Sequence, residues 1–155
     1  MLFAAGRTAY NIVELLHVLT VLVALAPVFV HPLLRRQMRA AGGSGHQQLV
    51  VAMAANARRL YSPALIVAGL LGIALVEMSE DAISMTEGWV IAAIVIWVIM
   101  NGVLHGMIRP ALKAQGAEGA SAGTDKRLEA GSALLSIGVT VQLLLMICQP
   151  GGGRA

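Results

Sequence analysis

Charge is scarce in this chain: Lys, Arg, Asp and Glu supply 12% of its residues, about half the share of a soluble globular domain. Cysteine occurs once, at Cys148, which excludes an intrachain disulfide and a thiolate metal cluster. At that position it reads as a small apolar residue near a helix end. No GxSxG elbow, phosphate-binding loop, HExxH pair, dinucleotide fingerprint, CxxC or MxM repeat occurs, so no motif fixes a reaction. The polar stretches are too short to hold a catalytic domain, and an enzyme is the less favoured class. Nucleic acid is not an expected partner, because the bases behind the net charge of +3 sit beside apolar runs, where they meet lipid headgroups.

What the chain has is apolar length. Hydrophobic residues make up 57% of its 155 positions and mean hydropathy is +0.77, more apolar surface than a single globule of this size buries. The expectation is one all-α membrane domain over residues 1–155 with four transmembrane helices, at about 9–34, 61–78, 89–108 and 128–148, and an interfacial helix at about 47–60. From Ile12 to Leu34 only Glu14, His17, Thr20 and His31 are appreciably polar, and at 1.5 Å per residue that run covers roughly 30 Å, the hydrocarbon thickness. It is too long for a typical signal-peptide core and reads as retained. Pro27 and Pro32 are expected to bend or break span one, Ser62-Pro63 to cap span two, and Arg109-Pro110 to end span three. Ala41 to Gly45 reads as a flexible turn, Lys113 to Thr124 as a flexible loop, and the residues from Gln149 onward as a disordered tail.

An internal echo divides the chain. His31-Pro-Leu-Leu-Arg-Arg-Gln37 after span one parallels Arg109-Pro-Ala-Leu-Lys-Ala-Gln115 after span three, and Arg58-Arg-Leu60 parallels Lys126-Arg-Leu128. Two helical hairpins in tandem would give this pattern, as would independent basic edges at one membrane face. Nine of the eleven bases fall in the connections after spans one and three, whereas the connection around Glu77, Glu80, Asp81 and Glu87 has none. The positive-inside rule then makes the basic side cytoplasmic in a bacterial inner membrane and leaves both termini and the acidic loop outside.

Ionisable groups within a span cost roughly 2.5–3.5 kcal/mol each when central, so those present carry the functional expectations. Glu14 and His17, one turn apart, form a candidate proton-handling or ligand pair facing the bundle interior. The alternative is a buried polar pair that orients helices. His105, with Asn101 one turn before it, is a candidate in span three beside Gly102 and Gly106, a GxxxG strip suited to a close neighbour. His17 and His31 differ by about 40° in direction and about 21 Å in depth on a straight helix, a spacing familiar from two-haem membrane cytochromes. Span three has only His105, level with His31, and Ile91 at the other depth cannot ligate, so at most one haem b is allowed. Copper is a second candidate cofactor, through Met78, Met85, Met146 and Cys148 near one surface. Ser132, Ser136 and Thr140 place a stripe of hydroxyls along span four.

LLHVLTVLVALAPVFVHPLLRR, with an early histidine and a proline-basic exit, resembles the first span of a group of small bacterial four-helix membrane proteins distantly similar to the copper-resistance-D membrane domain. The resemblance covers mainly the first forty residues and implies a four-helix integral membrane protein with His17 at the family-like position. The glycines and tryptophan that often follow such a histidine are replaced by Val21, Val23 and Leu25. The expected partners are the lipid bilayer and either a second copy or the other subunits of a membrane complex. The favoured role is a complex subunit or small transporter-like module, with a haem- or copper-binding redox protein as the alternative.

The split of bases yields a direct test of orientation. In a Cys148→Ala background, cysteines at Ser79 and Gly152 should react with a membrane-impermeant thiol reagent added to intact cells, and one at Ser44 should not; labelling at Ser44 would reverse the topology.

Overall fold

The computed structural model describes residues 2–41, 45–79, 82–119 and 121–150, with side chains inside helices described except at 2–5, 31–32, 35–41, 45–47 and 118. Among the described residues it is all helix. The elements run α1 (Leu2–Ala41), α2 (Gly45–Asn56), a π turn (Ala57–Tyr61), α3 (Ser62–Glu77), α4 (Gly88–Val103), a second π turn (Leu104–Ile108), α5 (Arg109–Glu118) and α6 (Ala122–Cys148). Four stretches are long and apolar enough to cross a membrane, Gly6–Val30, Gln48–Glu77, Gly88–Ala117 and Ala122–Cys148. The chain is a multi-pass, four-span membrane protein.

α1 continues through Pro27 and Pro32 as one helix. Two expectations about prolines are corrected: span two begins within a longer rod, and span three does not stop at Arg109-Pro110. The physical reason at Pro63 and Pro110 is the π turn before each. Ser62 N–H reaches back five residues to Ala57 O, and Arg109 N–H to Leu104 O. In a straight α-helix the proline ring presses on the carbonyl four residues back and leaves it without a donor; the widened turn takes up that misfit and the helix goes on. The segment at 47–60, expected as an interfacial helix, is helical as α2 and the first π turn. It joins α3 in one rod over 45–77, about 50 Å long and so longer than a hydrocarbon core.

The expected loop from Lys113 to Thr124 is likewise mostly helix. Only a short joint around Gly119 separates α5 from α6, and Gly119 takes φ +86, a conformation open to glycine. Ser121 Oγ accepts from Thr124 N–H at 3.2 Å while Thr124 Oγ1 accepts from Ser121 N–H at 3.0 Å, a reciprocal cap that starts α6. The turn around Gly42–Ser44, the acids Glu80 and Asp81, and the tail from Gly151 lie outside the described residues.

α1 packs on α3, α4 on α6, and α2 on α5, so the chain forms two hairpins joined at the basic end. There the core is tight: Ala57, Ala111, Leu112 and Leu128 are each 2% exposed. Gln115 is buried among them and donates from Nε2 to Asp125 Oδ1 at 2.7 Å, tying α5 to α6. The opposite, acidic end is looser, and α1 has a single buried described side chain, Ala24. The acidic-end loop is tied locally: Ser84 N–H donates to one oxygen of the Glu87 carboxylate and the Trp89 indole N–H to the other.

Glycine sets the closest approaches. A methyl group at Gly69 would lie 2.0 Å from the Trp97 ring, and one at Gly138 2.9 Å from Met100 Cγ. Gly102 and Gly106 have open space at the same position, so among the described residues nothing packs on the GxxxG strip. Gly69→Ala should therefore lower the thermal unfolding midpoint in detergent by the equivalent of about 1–3 kcal/mol, the usual cost of overpacking, with Gly106→Ala as the near-neutral control. Equal midpoints for the two variants would refute the packing of α4 on α3.

Candidate functional site

The polar side chains divide between the two ends. At the basic end the two π turns face each other. Ser62 follows the first, is 3% exposed, and sits 2.7 Å by its Oγ from Nε2 of His105 in the second. Arg109 Nη1 lies 2.7 Å from His105 Nδ1. A guanidinium has only donors, so Nδ1 must accept; the proton of the neutral ring is on Nε2 and donates to Ser62 Oγ. A Ser–His dyad that activates a nucleophile needs the opposite tautomer, with Nε2 free to take the hydroxyl proton. The Ser62–His105–Arg109 chain is therefore a clamp between the spans, not a hydrolytic site. Ser62, expected as an N-cap, lies inside the continuous helical run, and its hydroxyl meets this partner instead.

At the acidic end a cavity of about 290 Å³ opens between the four spans. His17 and Glu14 line it from α1, Trp97 and Trp89 from α4, Gln142 and Met146 from α6. His17 Nδ1 is 2.8 Å from Ala68 O. A carbonyl only accepts, so Nδ1 carries the proton, and Nε2 of the neutral ring keeps its lone pair. The ring rests on Gly72, where a Cβ would be 3.2 Å from its Cε1. Trp97 donates from Nε1 to Leu65 O at 2.8 Å. Gln142 Oε1 is buried without a hydrogen-bond partner, a costly state that a bound donor relieves. A second cavity of about 230 Å³ lies toward the basic end, with Tyr61, Glu129 and Ser132 as its polar lining.

The structure thus brings Glu14 and His17 to one cavity wall, but the His17 ring turns to α3, and Glu14 is exposed at the rim. His105 is at the other end with both ring nitrogens engaged. Asn101 donates to Trp97 O at 2.9 Å and leaves Oδ1 buried without a partner. The side chain of His31 lies outside the described residues. The hydroxyl stripe is inward-bonded: Ser136 donates to Ser132 O and Thr140 to Ser136 O, each at 2.9 Å. Among the described residues no three His, Cys, Asp or Glu side chains gather as a metal site. Met85 and Met146 line the acidic-end cavity with His17.

Trp97, Gln142 and the Ser62–Arg109 clamp are the residues that sequence reasoning missed. Trp97 was readable only as one more apolar residue in span three, although its ring opposite a glycine-bearing span is a packing signal. Compared with family models, with curated proteins and with solved structures, the chain matches none.

The tautomer assignment is open to measurement. In ¹⁵N-histidine spectra of the purified protein, neutral His105 should carry its proton on Nε2, and Arg109→Leu should give a mixture of tautomers. Ser62→Ala should cost about 1 kcal/mol of stability, the net worth of one hydrogen bond. An Nδ1-protonated neutral His105 in the wild type would rule out the clamp as drawn.

Proposed function

We propose that this chain is a ligand-holding module of a bacterial cytoplasmic membrane, a small transporter-like protein or a subunit of a membrane complex, with its basic end in the cytoplasm and its termini outside. The observation that carries this reading is the cavity at the acidic end, which joins a largely apolar wall to a few polar groups, the composition of small-molecule sites between bundle helices. The concentration of bases at the opposite end supports the orientation. A non-enzymatic role is supported by the His105 tautomer, since the one serine–histidine contact among the described residues is set against proton abstraction.

A haem or copper role draws support from His17 alone. An imidazole whose Nδ1–H is held by a backbone carbonyl and whose Nε2 is free is oriented as metal ligands are, and the thioethers of Met85 and Met146 line the same cavity. His105 would have to abandon two hydrogen bonds to join it, which leaves the ligand-binding reading as the better supported.

Trp89 and Trp97 both line the cavity and are the only tryptophans in the chain, so the site reports on itself. Bromobenzene, a small heavy-atom quencher, should quench intrinsic fluorescence of the detergent-solubilised protein with a saturable component, and Ala93→Leu, which fills the wall, should abolish that component. Quenching that stays linear with concentration, as for partition into the micelle, would remove the basis for a ligand site.

A further inference from the structure

We infer that the acidic-end cavity takes a small organic cation, a protonated or quaternary amine on an apolar body, with the Glu14 carboxylate as its counter-charge. This rests on the reading of the cavity as a ligand site and names what it selects.

The argument is an accounting of hydrogen-bonding groups. The indole and imidazole N–H donors around the cavity are engaged, His17 Nδ1–H by Ala68 O, Trp97 Nε1–H by Leu65 O, and Trp89 Nε1–H by the Glu87 carboxylate, which leaves the Tyr10 hydroxyl and the Gln142 and Gln149 amide nitrogens as uncharged donors in the described lining. What remains includes the lone pair on His17 Nε2, the Glu14 carboxylate and the orphaned Gln142 Oε1, all acceptors. Among the described residues no lysine or arginine lines the cavity, and Glu14 is the one acidic side chain that does. An anion finds no counter-charge there. A neutral ligand rich in carbonyls finds only those uncharged donors and leaves the Glu14 carboxylate without a counter-charge. A cation meets the opposite conditions.

The apolar lining is suited to the same guest. Indole faces attract a desolvated cation through the ring quadrupole, and with their N–H groups turned to protein carbonyls and carboxylate, Trp89 and Trp97 have those faces left to offer. Met85, Met100 and Met146 add polarizable, adaptable surface. Glu77 and Glu87 stand in the connection at the same end, where no base occurs between Tyr61 and Arg109, so the local field gathers cations toward the mouth. Taking a bare charge into this space is costly unless it is paired, and Glu14 at the rim supplies the pair.

The test uses the full-length protein in detergent, its tryptophan fluorescence, and three probes of similar size: benzyltrimethylammonium, its carbon isostere neopentylbenzene, and benzenesulfonate. The cation should bind roughly tenfold more tightly than the isostere, the scale of a desolvated cation–π contact, and the sulfonate more weakly than either. Glu14→Gln should bring the cation down to the isostere while leaving the isostere unchanged, and Glu14→Asp should keep most of the preference; far-UV circular dichroism verifies that both variants are folded. If isostere and cation bind equally, if the sulfonate binds best, or if folded Glu14→Gln keeps the preference, the inference is overturned while the cavity remains a ligand site. If no probe binds saturably, both readings fall together.

Discussion

The backbone of α3 is the surface on which the bundle is assembled. Two of its carbonyls, Leu65 O and Ala68 O, accept side-chain hydrogen bonds from neighbours on either side, Trp97 of α4 and His17 of α1. Gly69 and Gly72 make this possible, since a Cβ at either would lie in or against those rings. In hydrocarbon no hydrophobic force presses helices together, so close packing and hydrogen bonds hold them. α3 contributes almost no polar side chain of its own and is joined to its neighbours through its main chain. The acidic-end cavity is a by-product of that arrangement, because two wide rings prop α1 and α4 against α3 and leave space between the props.

The contrast between the two ends follows. At the basic end the helices close over Leu112 and Gln115, with Asp125 hydrogen-bonded to the buried amide. At the acidic end the same four helices enclose about 290 Å³ of space. A tight end and an open end in one small bundle give a rigid base from which the lining residues are positioned, as precise sites require.

Much of the fold was legible in the sequence because span length and apolarity are set by the bilayer itself, and four runs of that kind admit few other readings. The local breaks were not. Prolines read as terminators because the rule for proline assumes an α-type ladder; the shift to a five-residue reach at Ala57 and Leu104 removes the conflict, and no residue in those turns announces it. Ser62 before Pro63 has every mark of a cap, yet a histidine 43 residues on claims its hydroxyl. His17 stood out as a polar residue in an apolar span, but its partner is a carbonyl, which every residue has and no sequence distinguishes. Glycine pairs were only half informative: Gly69 with Gly72 and Gly102 with Gly106 both promise a close neighbour, and smallness alone does not say which pair faces one.

The shallow seating of α1 bears on how the protein is made. Its described surface is largely apolar and outward-facing, with Leu16, Leu22 and Phe29 among its exposed side chains, so this span can rest in lipid as a lone helix without waiting for the spans that follow it. Its long-range hydrogen bond from His17 to Ala68 O forms only when α3 arrives. Until then the imidazole must be hydrated or bonded to lipid. Synthesis therefore passes through an interval in which this ring is unsatisfied, and the arrival of Gly72, with room for the ring beside it, brings that interval to an end.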